Sequence, residues 1–506
     1  FENKVIHKRP YLKMEWLVKA LSEPIKIEKQ DDMNRIRYWV YIDELKKYLI
    51  KMIDESISLS TSKQFKEKDN SIQIGLISSV PGKNALNEIN SDMDDYIEID
   101  IKENKGGVIC GSNPRSVLLA VYRYLTQLGC RWIRPGTDGE IIPKKDNVLE
   151  EITLQEKPDY RHRGICIEGA VSFKHVRDII DWAPKVGFNS YFIQFREGYT
   201  FFERWYKHEN NPSLESEGCS REKVRGYVED IVTEIKKRDM IYHAVGHGWT
   251  CEPLGIPGLG WQQEEKDVSE EISQYLAEVD GKRELWNGIP LNTNLCYSQP
   301  EVRNMVIEEI ADYIEKNPEI DLLHFWLADG TNNQCECEEC QKKRPSDFYV
   351  MMLNELDQLL KERNLYTKIA FLIYVDLLWP PEEETINNPD RFILMFAPIT
   401  RTYNEAFIPE ESLPEIPPFE RNNLDFPEEV SENVSFLNKW QQVFSGDSFD
   451  FDYHFMWDHY RDPGYMNISR VLSKDIKNLK DIGLNGFISC QTQRSFLPTG
   501  LGMVAM

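Results

Sequence analysis

The chain has 506 residues, a length that calls for two or three compact units around a substantial buried core. Its 41% hydrophobic and 28% charged residues are those of a globular protein, and no apolar run is long enough to cross a bilayer, so membrane spanning is set aside. A net charge of -24 lacks the Lys and Arg clusters that neutralise a phosphate backbone, which argues against nucleic acid as a partner.

In chain order, "SIQIGLISS" and "YIEIDIKENKGGVICGS" predict strands, and "PRSVLLAVYRYLTQLG" predicts an amphipathic helix stopped at Gly129. "CRWIRPGTDGEIIP" reads as an aromatic turn with a short extended exit, and "LQEKPDYRHRG" as a linker. This organisation predicts a small α/β domain over residues 1–150 and a second domain over 151–506.

The second domain alternates strands and helices. Short apolar runs occur at "RGICIEG", "SYFIQF", "IYHAVG", "DLLHFWLAD", "KIAFLIYVD", "RFILMFAP", "FDFDYHFMW" and "LNGFISCQ", with helical patterns between most of them. Eight such strands are what a (β/α)8 TIM barrel requires. An open doubly wound sheet would need a Gly-rich phosphate turn after its first strand, and "RGICIEGAVSF" has none. The sequence stops at "LPTGLGMVAM", where an eighth helix would begin, so the barrel is expected to be cut at its last helix.

Barrel chemistry collects at the carboxyl ends of the strands. Those ends supply Glu168, then Arg196 and Glu197, then His247 and Trp249, then Trp326 and Asp329. Tyr374 and Asp376 follow the fifth strand, Arg401 and Tyr403 the sixth, His454, Trp457, Asp458 and His459 the seventh, and Gln491, Gln493 and Arg494 the eighth. Aromatic rings stack on pyranose faces, Arg and amides bind hydroxyls in pairs, and two carboxyl groups can cleave a glycosidic bond. A carbohydrate is therefore the expected ligand. Asp329 directly follows "LLHFWLA" and precedes Gly330, which points its carboxylate at the mouth. Glu168 and Asp376 stay open between chemistry and a helix cap or solvated charge, and His247 between a sugar contact and a hydrogen-bonded structural histidine.

Ten cysteines run from Cys110 to Cys490 in no disulfide framework, and no secretory signal is visible, which together predict a cytoplasmic protein. Cys335, Cys337 and Cys340 form C-x-C-x-x-C after Asp329, a spacing suited to a structural zinc with a fourth thiolate such as Cys251 or Cys296. The alternative is three reduced thiols packed in a loop. No cofactor is expected for catalysis.

"GVICGSNPRSVLLAVYRYLTQLGCRWIRPGTDGEIIP" resembles the N-terminal domain that precedes the barrel in family 20 β-hexosaminidases and in α-glucuronidases, and "YRHRGICIEG" resembles their first barrel strand. "LHFWLADGTNNQCECEECQKKRPSDFYVMMLNEL" resembles the strand-four region of a family long listed as of unknown function and linked to glycoside hydrolase family 163, whose members are endo-β-N-acetylglucosaminidases. The resemblance implies a retaining glycoside hydrolase acting on β-N-acetylglucosaminides with assistance from the acetamido group. Family 20 ends its fourth strand in an Asp-Glu pair, with Asp orienting the acetamido group and Glu donating the proton; here the pair reads Asp329-Gly330. The donor must then come from another loop, and Glu197 and Glu168 are the nearest by barrel order. An α-glucuronidase-like enzyme would need Arg196, Arg401 or Arg494 for the uronate, and loss of the acid would leave a catalytically inactive carbohydrate-binding protein.

Overall fold

A computed structural model describes residues 34–53, 70–85, 87–208, 211–263, 268–409, 412–456, 462 and 466–490, with the side chains of 34–41 outside the description. Trp457, Asp458, His459, Gln491, Gln493 and Arg494, together with any eighth helix, lie outside the described residues.

The N-terminal unit is a four-stranded sheet of β1 (Ser71–Leu76), β2 (Ile97–Lys102), β3 (Gly106–Gly111) and β6 (Ile152–Glu156) in the order β1-β3-β2-β6. A two-stranded ribbon, β4 (Arg131–Trp132) with β5 (Glu140–Ile141), stands beside it. β6 pairs antiparallel with β2, so this sheet extends beyond residue 150 and takes up Leu154, Gln155 and Glu156, the first residues of the segment read as a linker. Only 157–161 separate it from the first barrel strand. Helix Pro114–Gln127 starts where Pro114 can give up its N–H, and the Asn113 side chain accepts from the Ser116 N–H at 2.8 Å. Its apolar face packs on the sheet and on helix Asn34–Ile53 through Leu45, Tyr48, Leu49 and Met52.

The second unit is a closed barrel of eight parallel strands: β7 (His162–Cys166), β8 (Ser190–Ile193), β9 (Ile241–Ala244), β10 (Leu322–Phe325), β11 (Lys368–Ile373), β12 (Phe392–Phe396), β13 (Asp447–Asp452) and β14 (Gly486–Ser489). Each of the eight predicted apolar runs overlaps one of them, six containing the whole strand, while β7 begins one residue before its run and β13 two. They read as continuous apolar runs because a barrel strand is buried on both faces, by helices outside and side chains within. β14 closes the ring on β7, where Gly486 lies opposite His162 at φ 144°, and a Cβ there would stand 2.2 Å from the His162 carbonyl oxygen. Helices Phe173–Trp182, Arg221–Lys237, Pro300–Lys316, Pro345–Glu362, Val430–Val443 and Met466–Asn478 cover the outside. The connection from β11 to β12 has only 3-10 turns.

The barrel interior is aromatic. The Phe192 and His324 rings stack at 3.9 Å, and His324 Nε2 lies 3.1 Å from His243 Nδ1. Burial drives both imidazoles well below their ordinary value, with neighbouring imidazoles adding to the shift, so both are neutral.

The two units join through Asp95, which precedes β2. Its carboxylate accepts from Arg115 Nε at 2.9 Å and Ser116 Oγ at 2.7 Å on the N-terminal helix. From the barrel it accepts Arg163 Nη2 at 2.7 Å and Asn189 Nδ2 at 3.1 Å. Burial alone would raise this carboxyl; Arg115 and Arg163 outweigh burial and hold it well below the usual range.

Candidate active site at the barrel mouth

Two β-branched residues adopt a left-handed backbone, Val245 (φ 49°) directly after β9 and Val375 (φ 41°) just after β11. Such conformations cost roughly 1–3 kcal/mol and collect where the surrounding structure dictates an unusual chain direction. Both lie at the carboxyl-terminal rim, and between them stands the loop of the intervening strand β10, which carries Asp329.

Asp329 is half-buried, with its backbone pinned from the neighbouring loop: the Asp329 N–H donates to the Leu291 carbonyl at 2.9 Å. Gly330 is needed at the next position, because a Cβ would meet the Asn292 carbonyl oxygen at 2.3 Å. The Trp261 indole donates to Asp329 Oδ2 at 2.7 Å. Burial and the adjacent Asp329 carboxylate push the Tyr374 phenol well above its usual value, so it remains a donor. Burial lowers the His247 imidazole against the opposing pull of Asp329. His247 sits edge-on to Trp326 at 4.7 Å and to Trp261 at 5.3 Å. The Trp326 indole N–H is buried and has no hydrogen-bond partner among the described residues. The result is one carboxylate set among aromatic rings, an indole and a phenol, which is a surface for a flat apolar face with polar edges.

Beside this cluster a cavity of about 310 Å³ opens between the loops after β8 and β9, lined by Phe195, Arg196, Glu197, Tyr199, Arg221 and Glu252 among others. That volume lies near the lower end, about 300 Å³, of small-molecule sites. Phe195 is shared between the two: its ring lies 5.5 Å from Trp261 and 5.0 Å from His247. Arg196 Nε forms an ion pair with Glu252 Oε2 at 2.7 Å, and Nη1 bonds Glu309 Oε1 at 2.7 Å. Burial raises the Glu252 carboxyl against the pull of Arg196, and Glu197 and Glu309 add to the rise, to about 7. Glu252 can therefore hold a proton at neutral pH.

Several sequence-based expectations change here. Glu197 accepts from Arg221 and Arg225 at 2.7–2.9 Å; burial would raise its carboxyl, but these guanidiniums prevail and lower it, which is the wrong direction for a proton donor. Glu168 is buried and fixed, accepting from its neighbour Gly169 N–H and from Gln194 Nε2, each at 2.8 Å. Asp376 accepts from the Asn332 N–H at 3.0 Å, and burial raises its carboxyl to about 6; it ties the Asp329 loop to the fifth strand. Trp249 is fully buried, donates to the His324 carbonyl at 2.9 Å and lies beneath the Arg196 guanidinium, so it supports the site from below and offers no face to a sugar.

Arg401 and Tyr403 also point inward. Arg401 is fully buried, with Nη1 3.1 Å from Asp452 Oδ2 and Nη2 2.7 Å from Asp475 Oδ2, while the Tyr403 hydroxyl donates to Asp452 Oδ1. His454 Nε2 lies 2.7 Å from Asp475 Oδ2. Arg401 cannot meet a uronate without abandoning two buried carboxylates.

Trp261 and Glu252 were missed by reading strand ends, because both lie farther along the loop after β9. The signal was "TCEPLGIPGLGW", where a lone carboxylate and a Trp stand in a Gly- and Pro-punctuated stretch. Sγ atoms of Cys296, Cys335, Cys337 and Cys340 lie within 4.8 Å of one another and could hold a metal ion. Cys251 instead faces the Gly248 carbonyl at 3.6 Å.

Fold and site together define a (β/α)8-barrel protein with one carboxylate among aromatic side chains at the carboxyl-terminal mouth and a glutamate-lined cavity beside it. The chain belongs to the family described as "Domain of unknown function (DUF4838)", which it matches over residues 134–495. No curated protein matches it. Among solved structures, the chain is similar to a GH138 enzyme targeting pectin rhamnogalacturonan II, at 12% identity and a TM-score of 0.47, covering 91% of this chain and 45% of that one. It is also similar to the Streptomyces plicatus N-acetyl-β-hexosaminidase in complex with Thio-NAglucal, at 12% identity and TM-score 0.44, covering 94% and 78%. A third similar structure is a Clostridium perfringens family 89 glycoside hydrolase in complex with 2-acetamido-1,2-dideoxynojirimycin, at 10% identity and TM-score 0.45, covering 98% and 50%. The chain thus spans less than half the length of the GH138 enzyme. No described helix is long and apolar enough to cross a membrane.

Proposed function

We propose that the protein is a retaining glycoside hydrolase acting on β-N-acetylglucosaminides, the activity implied by the resemblance to family 163. The observation that carries this reading is Asp329: a carboxylate at the end of the fourth strand, oriented by Trp261 and bordered by Tyr374, His247 and Trp326. In the proposed reaction the acetamido oxygen of the substrate attacks the anomeric carbon, and Asp329 holds the acetamido N–H as positive charge develops on it. Glu252 replaces Glu197 and Glu168 as the proposed proton donor to the leaving oxygen, since its raised carboxyl matches the task at neutral pH.

The uronate alternative draws less support. Arg401 is committed to Asp452 and Asp475, and Arg196 to Glu252 and Glu309. An N-acetylglucosaminide, the matching glucoside and the matching glucuronide, with a thiazoline that mimics the cyclised intermediate, separate the readings. We expect turnover of the N-acetylglucosaminide only, tight inhibition by the thiazoline, and loss of activity as pH rises through about 7, where Glu252 gives up its proton. Equal turnover of the glucoside would end the acetamido mechanism, preference for the glucuronide would favour the alternative, and binding without turnover would mark an inactive carbohydrate-binding protein.

A further inference from the structure

The loop that begins at Asp329 returns on the segment 291–298, and the place where they meet is lined by sulfur. Cys296 Sγ lies 3.6 Å from Cys337 Sγ and 3.9 Å from Cys340 Sγ, and Cys335 completes a group in which every sulfur is within 4.8 Å of the others. A tetrahedral zinc with four thiolates at about 2.3 Å has sulfur-to-sulfur edges of about 3.8 Å, close to the two distances seen here. None of the four is in a disulfide. We propose that Cys296, Cys335, Cys337 and Cys340 bind one structural zinc ion, with Cys296 as the fourth ligand, and that this ion fastens the Asp329 loop to the loop after β9.

The surroundings are those of a closed structural site. Cys296, Cys335 and Cys340 are buried, and all four ligands come from the protein, which leaves no open position for a substrate. The backbone supports the same geometry. The Glu278 N–H points to Cys335 Sγ at 3.3 Å, and Arg421 donates to the carbonyls of Cys335 at 3.2 Å and Cys340 at 2.6 Å, so a third loop is folded onto the cysteine turn. Thiolate donors also favour zinc over the hard cations that carboxylates would hold.

The position of the group gives the ion its consequence. Leu291, whose carbonyl receives the Asp329 N–H, stands five residues before Cys296, and Cys335 stands six residues after Asp329. Asn294 Nδ2 donates to Asn333 Oδ1 at 2.9 Å between them. Zinc would therefore close a short ring of chain around the backbone that aims Asp329, whatever reaction that carboxylate serves.

The experiment is elemental analysis of the full chain purified without chelator, followed by exchange of the metal for Co(II). We expect about one zinc per chain, and a cobalt form with the strong visible bands and near-ultraviolet charge transfer of a tetrahedral tetrathiolate. Cys296→Ser and Cys337→Ser should retain under about a tenth of the zinc after dialysis against a chelator that leaves the wild type loaded, whereas Cys251→Ser should retain it fully. Absence of zinc and of a tetrathiolate cobalt spectrum in the wild type would overturn the proposal, whether or not the variants fold. So would iron in place of zinc, a disulfide among these cysteines found by alkylation and mass spectrometry, or full retention by Cys296→Ser.

Discussion

Replacing Asp329 by Asn is expected to lower turnover of an N-acetylglucosaminide by about a hundredfold or more while leaving the melting temperature close to that of the wild type. The amide keeps the size of the side chain and an oxygen that can accept from the Trp261 indole, now 2.7 Å away, so the aromatic surround has no reason to collapse. What disappears is the carboxylate that would face the charge developing on the acetamido group, an electrostatic contribution realised mainly in the transition state. The effect should therefore fall on kcat more than on KM. Measurement of both constants, with circular dichroism and thermal unfolding of the same preparations, checks the expectation. Turnover near that of the wild type would remove Asp329 from the mechanism and return attention to Glu252 and the adjacent cavity.

Replacing Arg401 by Met is expected to destabilise the fold by about 3–5 kcal/mol, the cost of leaving buried charge without its partner. Arg401 sits between Asp452 and Asp475 with no exposure, and its guanidinium lies 4.0 Å from the centre of the Phe407 ring. Burial would raise the Asp475 carboxyl, but Arg401 and His454 outweigh it and hold it below the ordinary value. Asp450, whose two oxygens have no hydrogen-bond partner among the described residues, is driven well above its ordinary value by burial and by Asp452, and is therefore protonated. Without Arg401, Asp452 and Asp475 would face this neutral acid having lost the buried guanidinium that pairs with both. Urea unfolding monitored by tryptophan fluorescence should show the midpoint falling sharply, and a loss under about 1 kcal/mol would mean that the network contributes little. Because Asp475 has a depressed carboxyl, its stabilising share is fully present above the unfolded carboxylate value and is lost as pH falls from there through the lower folded value.

The barrel could be read from the chain because its strands are buried on both faces and so stand out as apolar runs such as "RFILMFAP", now β12. Position along a strand was equally readable, and it placed Asp329 at the mouth. Direction was not. Trp249, Arg401 and Tyr403 follow strand ends just as Asp329 does, yet their partners lie far along the chain: His324 for Trp249, Asp452 and Asp475 for Arg401. A strand end says which rim a residue occupies and leaves open whether its side chain meets the cavity or the interior. The cysteines divide the same way. Cys335, Cys337 and Cys340 are legible through local spacing, whereas choosing Cys296 over Cys251 requires the loop after β9 to be folded against the loop after β10.

The imidazoles enclosed by the barrel make the fold a counter of protons. His243 and His324 are neutral inside, held well below the 6.5 of a free side chain, so unfolding in mildly acidic solution draws a proton onto each. Below that value, and above the folded ones, the unfolded chain gains on the folded one by about 2.7 kcal/mol for every unit of pH lost through this pair. Acid would thus act on this molecule from its axis outward, and the same two rings that fill the barrel at neutral pH set an acid limit on where the barrel can exist.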